Sequence, residues 1–231
     1  MSLPQFVLIP GLLNDADLWR DQVSGLAGVA RPLVADITRG NTLAELAETV
    51  LAASDDRFAL AGFSLGGLVA QEIMRRAPER VTHLALLDTT MLPDTPERVA
   101  ERRRLLAMAQ KPGRFHGFGN KLAASYLAPE NQANREMIAR VRAMTERLGP
   151  EVFIRQNRIE RPDSRSSLPR ITCPTLVLCG RHDVLTPPAL HEEMAELIPG
   201  AERVILDHSG HLTPIEQPEE VISALHDLLS R

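Results

Sequence analysis

The sequence predicts an α/β fold: a mostly parallel sheet flanked by helices, with an all-helical segment inserted after a strand that ends at Asp88. Three observations carry that expectation. Short apolar runs alternate with stretches of helical period over residues 5–88 and again from 174 onward. Such alternation calls for crossover connections between parallel strands. Between residues 89 and 168 no run of strand type occurs. Finally, the apolar run 58–63 passes through a glycine-flanked serine straight into a helical pattern. The expected core is 1–88 with 169–231, and the expected helical lid is 89–168.

Taken in order, residues 5–9 form the first strand candidate, ended by the irregular loop Pro10-Gly11-Leu12-Leu13-Asn14-Asp15. Asp15 or Asp17 caps the next helix, whose apolar face is Leu18 or Trp19, Val23 and Leu26. A second short strand falls at 32–36. Thr42 and Glu45 have capping-box spacing, after which Leu43, Leu46, Ala47, Val50 and Leu51 share one helical face. Residues 58–63 make the third strand. Leu65, Leu68, Val69 and Ile73 follow at helical spacing until Pro78 ends the pattern. Residues 81–87 make the fourth strand. Inside the insertion, helices are expected over 96–110, 120–127 and 132–148, with another over 152–160. The last two strands are expected at 174–179 and 203–206, each followed by a helix, at 188–198 and 218–230.

Bulk properties narrow the function. The 231 residues are 44% hydrophobic and 24% charged, ordinary for a globular chain. A net charge of -4 and an aromatic content of 3% supply neither a basic face nor a stacking platform, which argues against a nucleic-acid partner. No apolar run nears the ~20 residues of a bilayer span, and no basic segment precedes the first apolar run as in a signal peptide. Cys173 and Cys179 stand six residues apart on an extended segment, roughly 20 Å, too far for a disulfide. Two reduced core cysteines fit a cytoplasmic location. Charge is uneven along the chain. Residues 89–168 hold 15 Lys and Arg against 9 Asp and Glu, net +6, and the remainder is net -10. Ordinary Arg-rich helix surface explains this, and the alternative is that Arg102, Arg103, Arg104 or their neighbours attract an anionic substrate or carrier.

The chemistry centres on Gly62-Phe63-Ser64-Leu65-Gly66, the Gly-x-Ser-x-Gly pattern of a nucleophile elbow. A serine hydroxyl is a weak nucleophile at neutral pH. It needs an imidazole to take its proton and a carboxylate to orient that imidazole. Three loops leave strand ends with these residue types, in the order Ser64, Asp183, His211. Open α/β sheets gather functional groups at the carboxyl ends of their strands. Asp88 and Asp207 are the rival acids, and His208 is the rival base. His83 falls inside a strand, while His116, His191 and His226 are expected on solvated helix or loop faces. His182, Asp183, His208 and His211 match no zinc-binding spacing, so no metal or cofactor is expected.

Pro10-Gly11-Leu12, Gly62 to Gly67, Gly180-Arg181-His182-Asp183 and Gly210-His211 together resemble the α/β-hydrolase superfamily over nearly the whole chain. The pattern is similar to small lidded carboxylesterase-type members, which include pimeloyl-carrier-protein methyl esterases. The resemblance implies Ser64 as nucleophile, His211 as general base and acid, and Asp183 as the orienting carboxylate. It implies an oxyanion hole made by the backbone N–H groups of Leu12 and Leu65, and a small-molecule ester as substrate. The family often has His-Gly where this chain has Pro10-Gly11; the retained glycine still lets the loop turn. Relatives in the superfamily also use such a triad for C–C bond hydrolysis, lyase or perhydrolase chemistry, and some bind small molecules as receptors.

Overall fold

The computed structural model describes residues 3–111, 113 and 115–231. Six strands form one sheet: β1 (Gln5–Ile9), β2 (Arg31–Val34), β3 (Phe58–Phe63), β4 (Val81–Leu87), β5 (Thr175–Gly180) and β6 (Glu202–Leu206). Their order is β2-β1-β3-β4-β5-β6, and every pairing is parallel. The four inner strands are nearly continuous apolar runs because helices cover both faces. The edge strands β2 and β6 carry most of the partly exposed residues, and the rest are Thr82 and His83 near the start of β4.

Side-chain alternation along the strands divides the core in two. Phe6, Leu8, Ala59, Ala61, Ala85, Leu87, Leu176 and Leu178 face one cluster. It is completed by α1 (Arg20–Leu26), α9 (Pro218–Leu229) and part of the insertion. Val7, Ile9, Leu60, Leu84, Leu86 and Val177 face the other, covered by α2 (Leu43–Ala53), α3 (Leu65–Arg76) and α7 (Pro188–Leu197). Both loops that leave β1 and β3 exit the same sheet edge, since Ile9 stands opposite Gly62.

The expected elements occur, with local differences that have physical causes. The helix after β1 begins as a 3-10 turn, Ala16–Trp19, capped by Asp15, whose side chain accepts from the Asp17 N–H. Thr42 caps α2 by accepting from Glu45 N at 3.1 Å. The reciprocal arm of the box lands one residue early, because Glu45 accepts from Asn41 N at 2.8 Å. The two expected helices over 132–148 and 152–160 run on as α6 (Arg135–Arg158), broken at Gly149 with φ 71° just before Pro150. Before α6, the region between β4 and β5 contains α4 (Pro96–Ala109) and α5 (Asn120–Ala124), with no strand among the described residues. A short helix α8 (Thr213–Glu216) precedes α9. Among the described residues no helix is long and apolar enough to cross a membrane.

The charge split has a structural counterpart. Arg140 of α6 pairs with Asp17 and Asp21 at 3.4 and 2.7 Å, and Arg147 pairs with Asp15 and Asp17 at 2.8 and 3.1 Å. Basic residues of the helical segment thus dock on acidic residues of the core. Arg102 is engaged by Asp94 at 2.7 Å, whereas Arg103 and Arg104 are exposed.

One histidine differs from expectation. His191, expected on a solvated face, is fully buried. Its Nε2 accepts from Thr89 N at 3.0 Å, and its Nδ1 faces the Pro187 carbonyl at 3.4 Å. Two loop backbone groups therefore replace the water that the ring would otherwise need. Burial drives its pKa from 6.5 down to about 4. Between those values the unfolded chain binds a proton that the folded chain refuses, so stability is intact above the window and falls as the pH drops through it. The loss amounts to on the order of 3 kcal/mol. Urea titrations at pH 7 and pH 4.5 should show His191→Gln, which keeps an acceptor for Thr89 but cannot titrate, losing less stability on acidification than the wild type.

Candidate active site

Ser64 lies between β3 and α3 with φ 51° and ψ -113°. Positive φ is uncommon outside glycine. Close packing forces the conformation: a Cβ on Gly62 would sit 2.4 Å from Gly66 O, and one on Gly66 would sit 2.3 Å from Ile9 O. Only glycines let strand, turn and helix approach this closely. The elbow is further fixed by Ser64 N donating to Leu87 O at 2.9 Å and by the Thr89 hydroxyl donating to Ser64 O at 2.7 Å.

The structure brings Ser64, Asp183 and His211 together. His211 Nε2 lies 3.1 Å from Ser64 Oγ, and its Nδ1 lies 2.8 Å from Asp183 Oδ2. The carboxylate sets the tautomer: Nδ1–H donates to Asp183, which leaves the Nε2 lone pair facing the serine hydroxyl. Phe63 packs on the imidazole with ring centres 5.2 Å apart, and Tyr126 of the helical segment lies 6.2 Å away. Burial and the charge of nearby Glu101 push Tyr126 up to about 12.

Asp183 is buried, yet its carboxyl is held below the usual range. Burial acts to raise it, and the facing His211 ring with the donors around it outweigh that. Leu185 N and Thr186 N donate to Oδ1 at 2.8 and 2.9 Å, and the Thr186 hydroxyl donates to Oδ2 at 2.6 Å. Four donors therefore stabilise the ionised form.

The rivals occupy other places. His208 is exposed and pairs with Glu130 at 3.0 Å. Asp207 is exposed and binds Arg181. Asp88 is fully buried and accepts from Gly180 N at 3.1 Å and from the Thr213 hydroxyl. Burial, and then the negative charge of Asp183, push its pKa well up. It braces the two loops that carry Asp183 and His211 without touching the imidazole.

Leu12 follows β1, and Leu65 opens α3. Neither N–H has an acceptor among the described residues. The helix N-terminus adds partial positive charge at Leu65. Leu13, the residue after Leu12, has φ 53°, and its N–H is taken by Gln156 Oε1 at 2.8 Å. The Gln156 amide also donates to Ile37 O at 3.2 Å. A buried side chain of α6 thus supports the Pro10-Gly11 loop. Nothing in local sequence pattern marks Gln156, because its partner lies 143 residues away. Among the described residues no group of three or more His, Cys, Asp or Glu is arranged to hold a metal ion.

A hydroxyl, an imidazole and a carboxylate in hydrogen-bonded series can pass a proton away from the serine, and the Leu65 N–H, at the start of α3, directly follows that serine. The profile of the alpha/beta hydrolase family matches residues 6–224. The chain is 27% identical to RutD of Yersinia enterocolitica, whose name gives carbamate hydrolysis as a candidate activity, over 93% of this chain and 83% of that protein. It is 26% identical to the pimeloyl-[acyl-carrier protein] methyl ester esterase of Nitrosomonas europaea, over 97% and 95% of the two chains. Among solved structures it is similar to a thermophilic esterase from Thermogutta terrifontis with malate bound. There the TM-score is 0.87 and the identity 31%, over all of this chain and 90% of that one.

The two buried aspartates can be separated by the rate at which a fluorophosphonate labels Ser64. Asp183→Asn should slow labelling by roughly 10³–10⁴-fold, while Asp88→Asn should slow it by less than about tenfold.

Proposed function

The chain belongs to the alpha/beta hydrolase family, and on that premise we propose that it cleaves a carboxylic ester through an acyl-enzyme on Ser64. The observation that carries the proposal is the 3.1 Å approach of Ser64 Oγ to His211 Nε2, with Asp183 behind the ring at 2.8 Å.

In this mechanism Ser64 Oγ attacks the ester carbonyl carbon as His211 Nε2 takes the hydroxyl proton. Asp183 stays ionised and stabilises the imidazolium. The Leu12 and Leu65 N–H groups donate to the oxyanion, each worth about 3–4 kcal/mol. His211 returns its proton to the leaving alcohol oxygen, and the C–O bond breaks. His211 then takes a proton from a water that attacks the acyl-enzyme and passes it to Ser64 Oγ as the acyl C–Oγ bond breaks, which releases the acid and restores Ser64. Residues 89–168 act as a lid that excludes bulk water. Support for that role comes from Gln156 against Leu13, from Tyr126 beside His211 and from an aromatic cluster of Phe115, Phe118 and Phe153.

The substrate is a small ester in this proposal. An anionic or carrier-bound form is favoured by the name of the Nitrosomonas relative and by the exposure of Arg103 and Arg104. A second reading, carbamate cleavage with the same groups, is favoured by the RutD relative. Ser64→Ala should lose roughly 10⁴–10⁶-fold in kcat on p-nitrophenyl esters and keep its melting transition. A panel of free esters, carrier-linked methyl esters and carbamates should then rank the substrates by kcat/KM. Undiminished turnover by Ser64→Ala would overturn the mechanism, as would ligand-induced stabilisation with no turnover of any panel member.

A further inference from the structure

Glu216 ends α8, five residues after His211, and is buried. It makes no hydrogen bond to the Ser64, Asp183 or His211 side chains, yet its two oxygens are heavily engaged. Oε1 accepts from Gly210 N at 2.8 Å, from the Ser209 hydroxyl at 3.3 Å and from Leu212 N at 3.3 Å. Those three residues flank His211 on both sides. Oε2 accepts from Ala128 N at 2.7 Å and from Asn131 Nδ2 at 2.9 Å. Those two residues belong to the helical segment, on the stretch between α5 and α6. A second strut lies alongside: His211 N donates to Tyr126 O at 2.7 Å.

All five partners are donors, and they divide by origin. One oxygen gathers the turn that presents the imidazole, and the other gathers the segment that covers the site. A carboxylate is suited to this because both oxygens accept and it presents no donor of its own to oppose its partners. The same turn is packed against that segment without slack, since a Cβ on Gly210 would lie 2.5 Å from Tyr126 O.

We propose that Glu216 is a positioning residue that locks the His211 turn to residues 126–131, so that His211 reaches Ser64 only while this part of the helical segment is seated on the core. Lifting the segment withdraws two of the five donors and the Tyr126 carbonyl, which frees the turn that aims Nε2. Covering the site and arming the base are then one event. The inference rests on His211 acting as the base of the proposed mechanism.

Two variants test it, read by kinetics and by proton NMR. In the wild type the Nδ1–H shared with Asp183 should give a downfield resonance that His211→Ala removes. Glu216→Gln must turn an NH2 toward one of the two donor groups. It should shift or broaden that resonance and cut kcat on p-nitrophenyl acetate roughly 10- to 100-fold, with KM held within about twofold. Asn131→Ala removes the two hydrogen bonds that this partly exposed side chain of the helical segment makes to the core, one to Glu216 Oε2 and a longer one to His208 O at 3.4 Å. It should cut kcat roughly two- to tenfold, within the range of one strong or two weak exposed hydrogen bonds, with a smaller change in the resonance; if Glu216→Gln does not fold, this variant decides alone. An unchanged resonance with unchanged kcat, or a loss confined to KM, would overturn the coupling. If the resonance moves as expected while Ser64→Ala still turns over ester, the positioning stands and the proposed mechanism falls.

Discussion

Ser64 is held at φ 51° and ψ -113°, a conformation that costs on the order of 1–3 kcal/mol and persists only where its surroundings over-determine it. Here they do. The strand end bonds it through Leu87 O, Thr89 grips its carbonyl, and Gly67 N donates to the same carbonyl at 3.0 Å. Thr89 is fixed in turn by His191 on α7. Leu13 and Asp88, at φ 53° and 45°, are the other non-glycine residues with positive φ among the described residues. All three sit at or just after the ends of adjacent inner strands, β1, β3 and β4. The strain in the backbone is concentrated where the candidate chemistry is, and the parallel sheet behind it supplies the rigidity.

Much of this was legible in the sequence because it is local. The serine turn announces itself by two glycines at fixed offsets, and the strands by short runs of four to seven residues bounded by turn residues. The order Ser64, Asp183, His211 needed only the topology of an alternating chain. The structure brings these three together and leaves Asp88 and His208 aside. Asp88 could not be dismissed from sequence, since it too ends a strand; the structure separates them because Asp183 faces His211 Nδ1 at 2.8 Å while Asp88 is taken up by Gly180 and Thr213.

What escaped the sequence is of one kind. Gln156, Glu216 and His191 are buried polar groups whose partners come from loops about 90 to 140 residues away or from loops with no periodic pattern. A burial pattern is read from apolar spacing, so a polar residue that is buried because distant backbone groups satisfy it leaves no periodic mark. The charge split was visible, but its meaning was not. Arg140 and Arg147 on one side and Asp15, Asp17 and Asp21 on the other show that much of it joins two parts of one molecule.

β4 and β5 are neighbours in the sheet, yet the whole helical segment lies between them in the chain. The entropy of closing such a loop grows only logarithmically, so doubling its length costs about 0.6 kcal/mol. Sequence added or removed there leaves the pairing of Leu84 to Leu87 with Thr175 to Leu178 nearly untouched. In evolutionary terms, that junction can take new sequence at little risk to the scaffold, provided the inserted segment still offers an amide for Leu13 and donors for the carboxylate five residues after His211.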